Sequence, residues 1–250
     1  MTETGIQIIG IHDLPSVTAA TNLLDFIELG IKSLNQLPAD GDILCVASKV
    51  VSICENRVIK LNDVTPSDVA IKIQRDFIPR KDPRVIQIIL EQTGDLSGER
   101  VEVKKDYIAG WLPNGNKLTS AGVDKYGDEA VVVLPEDPDL SAQRISNFLS
   151  ERYKKKVAVI ITDSDGREEK IGATQIAIGL FGLPALRTNA NSPTEKKPKE
   201  TLCDLLAASA ALVMGQRGTG VPLAVIHGLD FTFDPTSKIS DALHSKNDLS

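Results

Sequence analysis

Cysteine, aromatic side chains and long apolar runs are all scarce in this chain of 250 residues, and each shortage narrows what it can be. Cys45, Cys54 and Cys203 are odd in number, far apart and without a C-x-x-C pair. That argues against a disulfide framework or a thiolate zinc site and for reduced thiols in a cytoplasm. No stretch reaches the run of about 18 apolar residues that a membrane helix needs, and no basic segment followed by an apolar one opens the chain, so a membrane span or a secretion signal is not expected. Aromatics make up 4% of the residues, the formal net charge is −6, and no lysine run is interleaved with aromatics. A nucleic-acid surface is therefore excluded as an expectation. His12, His227 and His244 stand apart from one another, which leaves a histidine triad or histidine metal site without support.

What remains is globular: 42% hydrophobic and 25% charged residues, enough to bury a substantial core. The expectation is one domain over residues 1–250, or two lobes in which 88–186 is inserted. The stretch Val157 to Gly172 organises the rest. Val157-Ala-Val-Ile-Ile161 is a strand buried on both faces, and one threonine separates it from Asp163, Ser164 and Asp165. Oxygen ligands at a strand end suit a hard cation such as Mg²⁺, which takes one or two carboxylates plus substrate phosphates. Gly166 permits a turn, and Arg167 and Lys170 add positive charge beside it as candidate catalytic groups. The same pattern also arises where a polar turn merely closes a core strand.

Elsewhere the chain alternates strands and helices. Ile6 to Ile11 reads as a strand, Leu14-Pro15-Ser16-Val17 as a turn, and Leu23 to Leu34 as an amphipathic helix stopped near Pro38. Gly41 to Lys49 reads as a second apolar strand ending in Ser48 and Lys49, at the kind of strand end where α/β proteins hold ligands. Thr65-Pro-Ser-Asp68 and Lys81-Asp-Pro-Arg84 start helices. Thr119-Ser-Ala-Gly-Val-Asp124 lets the backbone pass close to something and offers Asp124 as a second oxygen ligand, although an aspartate beside a glycine is often only a turn. Pro135 to Asp139 opens a helix with Ile145, Phe148 and Leu149 on its buried side. Residues 188–201 read as an exposed lysine-bearing loop, and Thr201 as the cap of a helix carrying Leu202, Leu205, Leu206, Leu212 and Val213. The glycine-rich segment Met214-Gly215-Gln216-Arg217-Gly218-Thr219-Gly220-Val221 then suits the wrapping of a nucleotide, without the spacing of a P-loop or Rossmann fingerprint. From Asp234 onward the tail reads as polar and peripheral.

Taken in order, Gly41-Asp-Ile-Leu with Ser48-Lys49 and Ser52, Lys81-Asp-Pro-Arg84, Ala121-Gly-Val-Asp124, Leu134 to Ala142, Ile160 to Arg167 with Gly172, Ala177-Ile-Gly179 and Leu212 to Gly215 resemble the coenzyme F420-0:L-glutamate ligase (F420-0:γ-glutamyl ligase) family. The resemblance implies a mixed α/β fold particular to that family, a homodimer, and a reaction in which GTP and divalent metal, Mg²⁺ or Mn²⁺ at two sites and in some members K⁺, activate an acceptor carboxylate as an acyl phosphate for attack by L-glutamate. On matching positions it implies Asp124 and Asp163 on one metal and Ser164 and Gln216 on the second. Leu14, Pro15, Ser16, Val17, Ser48, Lys49 and Met214 to Val221 would line the GTP. The pattern departs at Thr21 and Asn22, Ile53, Gly127, Gln216 and the 188–201 loop. Those departures keep two alternatives open: a γ-glutamyl ligase for another acid such as a folate-like pterin, and a homologue that binds nucleotide or metal without catalysis.

Overall fold

The apolar runs become the strands of a five-stranded sheet. The structure, a computed structural model, describes residues 5–34, 36, 38–188, 198–216 and 218–244. The chain begins with β1 (Gln7–Ile11), α1 (Leu23–Ser33), β2 (Ile43–Ala47) and α2 (Ser48–Cys54). There follow β3 (Val58–Lys60), α3 (Asp68–Phe77), α4 (Pro83–Thr93), β4 (Val101–Lys104), β5 (Tyr107–Trp111), β6 (Lys117–Thr119), β7 (Asp124–Lys125) and β8 (Ala130–Val132). It continues through α5 (Pro138–Tyr153), β9 (Ala158–Gly166), β10 (Ala173–Phe181), β11 (Leu186–Thr188), β12 (Lys199–Thr201), α6 (Leu202–Met214) and β13 (Leu223–His227). This is the mixed α/β class that the alternating pattern predicts. No helix of the described residues is long and apolar enough to cross a membrane.

The residues fall into two units. The first comprises Met1–Cys54, Pro135–Ser164 and Thr174–Ala242; the second comprises Glu55–Leu134, Asp165–Ala173 and Leu243–Ser250. In the first unit the sheet has the order β1-β13-β2-β9-β10. β13 runs antiparallel to both β1 and β2, while β2 and β9 are parallel, with Ile43 opposite Ala158 and Ala47 opposite Thr162. Ile43, Cys45, Ala158 and Ile160 alternate onto one face, where Leu206 and Ala210 of α6 share their cluster. Each such aliphatic side chain, fully buried, contributes about 1.5–3 kcal/mol. Burial also pushes the thiols of Cys45 and Cys203 up to about 12, whereas Cys54 is only half-buried.

β10 lies at the sheet margin, where unpaired backbone groups invite wrong partners. Two acids from helix first turns cover it: Asp139 of α5 accepts from the Leu180 N–H at 2.7 Å, and Asp204 of α6 from the Ala177 N–H at 2.9 Å. Burial raises both carboxyls above their ordinary range. α5 also comes so close to β10 that a Cβ on Gly179 would stand 2.4 Å from the Pro138 carbonyl carbon. Only glycine fits there.

The second unit carries two three-stranded sheets, β3-β8-β7 and β4-β5-β6, with α3 and α4. Asp82 caps α4 and Pro83 takes its first position, as expected.

Several expectations shift by a turn or a face. β9 does not stop at Thr162 but runs on through Asp163, Ser164 and Asp165 to Gly166. β2 ends at Ala47, so Ser48 and Lys49 open α2 instead of closing a strand. Pro66 precedes the cap of α3, which is Ser67. In α6 the buried side is Leu202, Cys203, Leu206, Ala207, Ala210 and Met214, while Leu205 and Leu212 face out. The 188–201 loop is framed by an antiparallel ladder, with Thr188 opposite Lys199; its residues 189–197 lie outside the described residues. The tail is less peripheral than its polarity suggests, since Ser237 accepts from the Ala185 N–H at 3.0 Å and Ile239 is buried.

Candidate functional site

Register alone gathers most of the first unit's expected site residues at one end of its sheet. Ile11 pairs with Leu223, Leu223 with Val46, and Ala47 with Thr162. The segments that leave these positions are therefore neighbours across four adjacent strands, each spaced about 4.8 Å apart. They are Leu14 to Val17 after β1, Val221 before β13, Ser48 and Lys49 after β2, and Asp163 and Ser164 within β9. The carboxyl ends of parallel strands are the usual ligand positions in α/β sheets.

Within this cluster Ser48, buried at the first position of α2, donates its hydroxyl to Asp163 Oδ1 at 2.6 Å. The pair follows directly from the parallel register, one residue beyond Ala47 and Thr162. Ala47 in turn donates its N–H to the Pro222 carbonyl at 2.9 Å, which ties the end of the glycine-rich loop beside Ser48. The loop itself turns sharply after α6: Thr219 donates its hydroxyl to the Met214 carbonyl at 2.5 Å and its N–H to the Gln216 carbonyl at 3.3 Å. A Cβ on Gly215, whose φ is +68°, would meet Thr219 Cγ2 at 2.5 Å. Gln216, Gly218, Thr219 and Gly220 are exposed, and Arg217 lies outside the described residues.

The donor set at this end is all oxygen and amide. Among the described residues no three histidine, cysteine, aspartate or glutamate side chains stand close enough to hold an ion by themselves. A hard cation that keeps waters and takes phosphate oxygens needs only one or two carboxylates, so the oxygen donors of Asp163 and Ser164 are of the type that suits Mg²⁺ or Mn²⁺ and not of the type that suits zinc.

The other expected residues belong to the second unit. Asp124 opens β7, opposite Val132. It follows a turn with positive φ at Ser120, Ala121 and Gly122, 51°, 49° and 70° respectively, a conformation costly for the first two. Asp165 anchors that turn, its Oδ1 accepting from the Thr119 N–H at 2.9 Å and the Thr119 hydroxyl at 2.8 Å. Lys81 adds a contact from its Nζ to Ser120 Oγ at 3.1 Å. Arg167 and Lys170 sit in an exposed turn between β9 and β10, with the Lys170 N–H bonded to the Arg167 carbonyl at 3.0 Å.

Sequence reading missed Gln175 of β10. It is buried, its amide donates to the Gly215 carbonyl at 3.4 Å, and its Oε1 has no partner among the described residues. The signal was there: an uncharged polar side chain set into an otherwise apolar strand.

The fold defines a mixed α/β protein whose polar side chains gather at one end of the first unit's sheet. Comparison gives the family. Residues 12–228 match the family model described as F420-0:Gamma-glutamyl ligase. The chain is 34% identical over 231 residues to the coenzyme F420:L-glutamate ligase of Methanothermobacter thermautotrophicus, covering 90% of this chain and 89% of that one. It is 37% identical over 197 residues to that of Methanopyrus kandleri, 76% of each, and 30% identical over 250 residues to that of Methanosarcina mazei, 96% and 93%. The chain belongs to the F420-0:γ-glutamyl ligase family.

Proposed function

We propose that this chain is a GTP-dependent ligase that joins L-glutamate through an amide bond to the carboxylate of a coenzyme F420-0 acceptor. The observation that carries the reading is the Ser48–Asp163 pair, formed where the chain leaves the carboxyl end of β2 beside β9, with the glycine-rich loop tied alongside through Ala47 and Pro222. The relatives' names supply F420 and L-glutamate.

In the proposed reaction an acceptor carboxylate oxygen attacks the γ-phosphorus of GTP, forming an acyl phosphate and releasing GDP. The amino group of L-glutamate then attacks the acyl carbon; the carbon–oxygen bond to phosphate breaks, inorganic phosphate leaves, and the nitrogen gives up a proton. Divalent metal, when bound, supplies neutralisation of charge developing on the phosphate oxygens. Asp163 and Asp124 are the proposed ligands of one ion, and Ser164 and Gln216 those of a second. Ser48 orients the Asp163 carboxylate by donating to Oδ1. Lys49 and residues 214–221 bind GTP together with Leu14 to Val17, and Arg167 and Lys170 meet anionic groups of the substrates. Buried, protonated Cys45 and Cys203 suit the reducing cytoplasm proposed as its location. We read the assembly as a homodimer, a reading favoured by the outward Leu205 and Leu212 of α6, the latter 82% exposed, and checked by light scattering.

The test is a coupled assay with GTP, Mg²⁺ or Mn²⁺ and L-glutamate across a panel of acceptors that includes F420-0 and a folate-like pterin. GDP release that requires both an acceptor and L-glutamate supports the reading. No turnover with any acceptor, by a protein that also fails to bind GTP in calorimetry, removes it.

A further inference from the structure

We propose that Gln175 is a residue of the nucleotide site, its Oε1 accepting a hydrogen bond from the bound nucleotide or from water on the nucleotide's metal ion; this rests on the nucleotide-binding reading above. Gln175 is 7% exposed and sits in β10 against the first residue of the loop that follows α6. Its Nε2 donates to the Gly215 carbonyl at 3.4 Å, well beyond the usual ~2.9 Å. Among the described residues nothing donates to its buried Oε1. Reversing the amide would set oxygen against the Gly215 carbonyl oxygen, so the orientation with Oε1 as the open, accepting end is the favoured one. An apolar side chain of the same shape would give up only the long bond to Gly215 and bring no unsatisfied acceptor of its own, which makes this carboxamide a cost to the unliganded protein.

The other buried atoms of this kind do not share the setting. Asn116 belongs to the second unit, Tyr153 ends α5, and the ring of His227 is already fixed through Nδ1, 2.7 Å from Asp42 Oδ1. Gln175 alone among them contacts the segment 214–221. The chemistry of its partner is restricted, because a carbonyl oxygen repels phosphate oxygens. The group it meets must donate: a ring N–H of guanine, a ribose hydroxyl, or water on a cation.

Two variants of the full chain test this, Gln175→Met, which keeps length and removes the amide, and Gln175→Glu, which keeps an acceptor oxygen. Melting temperature is read without ligand, and calorimetry uses GTP with Mg²⁺, ATP with Mg²⁺, and Mn²⁺ alone. The expected result is that Gln175→Met melts at or above the unsubstituted protein yet binds GTP with Mg²⁺ about tenfold more weakly, while Gln175→Glu recovers part of the loss. A loss confined to GTP assigns the donor to guanine; an equal loss for GTP, ATP and Mn²⁺ assigns it to water on the ion. Unchanged GTP binding, or weaker binding accompanied by a lower melting temperature, overturns the proposal. Failure of the unsubstituted protein to bind GTP instead removes the nucleotide reading itself, before any variant is compared.

Discussion

β2 has a carboxylate pair at each end, and the two are built differently. Before the strand, Asp42 is 3% exposed and both of its oxygens are engaged, Oδ1 with the His227 ring 2.7 Å away and Oδ2 with the Ala39 N–H at 2.6 Å. Its own carbonyl accepts from the Ala158 N–H at 2.9 Å, and the Gly41 N–H reaches the Lys156 carbonyl at 3.0 Å, so the starts of β2 and β9 are locked together. After the strand, Asp163 receives the Ser48 hydroxyl but remains half-buried, at the edge of solvent. The first arrangement is a clamp. The second fixes the direction of a carboxylate that solvent still reaches.

Substitutions can break this contrast, and the largest effect belongs to the solvent-facing end. Asp163→Asn is expected to lower turnover by about 10³-fold while the melting temperature moves little, because a neutral amide cannot replace a carboxylate beside a cation. Comparable turnover in the variant would put Asp163 outside the mechanism. Asp42→Ala is expected to do the reverse, costing about 3 kcal/mol in denaturant unfolding by orphaning the Ala39 N–H and the His227 ring, with per-molecule turnover preserved below the melting point. Ser48→Ala comes next: turnover about tenfold lower with stability nearly unchanged, since it removes an orienting donor and not a ligand.

The smallest effect concerns the acids at the sheet margin. Asp204 has a carboxyl raised by burial above its ordinary value near 3.8, so the folded chain holds that proton more tightly than the unfolded one. Its contribution to stability is complete below the ordinary value and declines as pH rises through the raised one. Asp204→Asn keeps an acceptor for the Ala177 N–H and cannot ionise. Its stability should stay within about 1 kcal/mol of the parent, shifting in favour of the variant above pH 4 in urea titrations. A shift toward the parent with rising pH would mean that the charged form is the stabilised one.

Much of this was readable in advance, and the failures have physical causes. Strands β2 and β9 announce themselves because both faces of their apolar runs are buried, β1 because its isoleucines follow one another closely, and α4 because Asp82 and Pro83 define its start. The continuation of β9 through Asp165 could not be read from side chains, because a strand persists for as long as its backbone has partners. The buried side of α6 was hidden for a related reason: a helix apolar nearly all round does not advertise a face, and small residues such as Ala207 and Ala210 won the sheet side over Leu205 and Leu212. At the candidate site, Ser48 and Asp163 were legible as residue types, whereas their hydrogen bond spans 115 positions and is a product of the parallel register. The Thr119–Asp165 anchor and Gln175 escaped because each acquires meaning only from a distant backbone group.

The buried thiols have a practical consequence. With pKa values pushed up to about 12, Cys45 and Cys203 present roughly one thiolate in 10⁵ at neutral pH, and their side chains are walled off as well. A maleimide or haloacetamide dye should therefore attach selectively at Cys54. That residue closes α2, six positions after Ser48, so the native chain carries its own attachment point for an optical reporter of occupancy, with no cysteine to be engineered in or out.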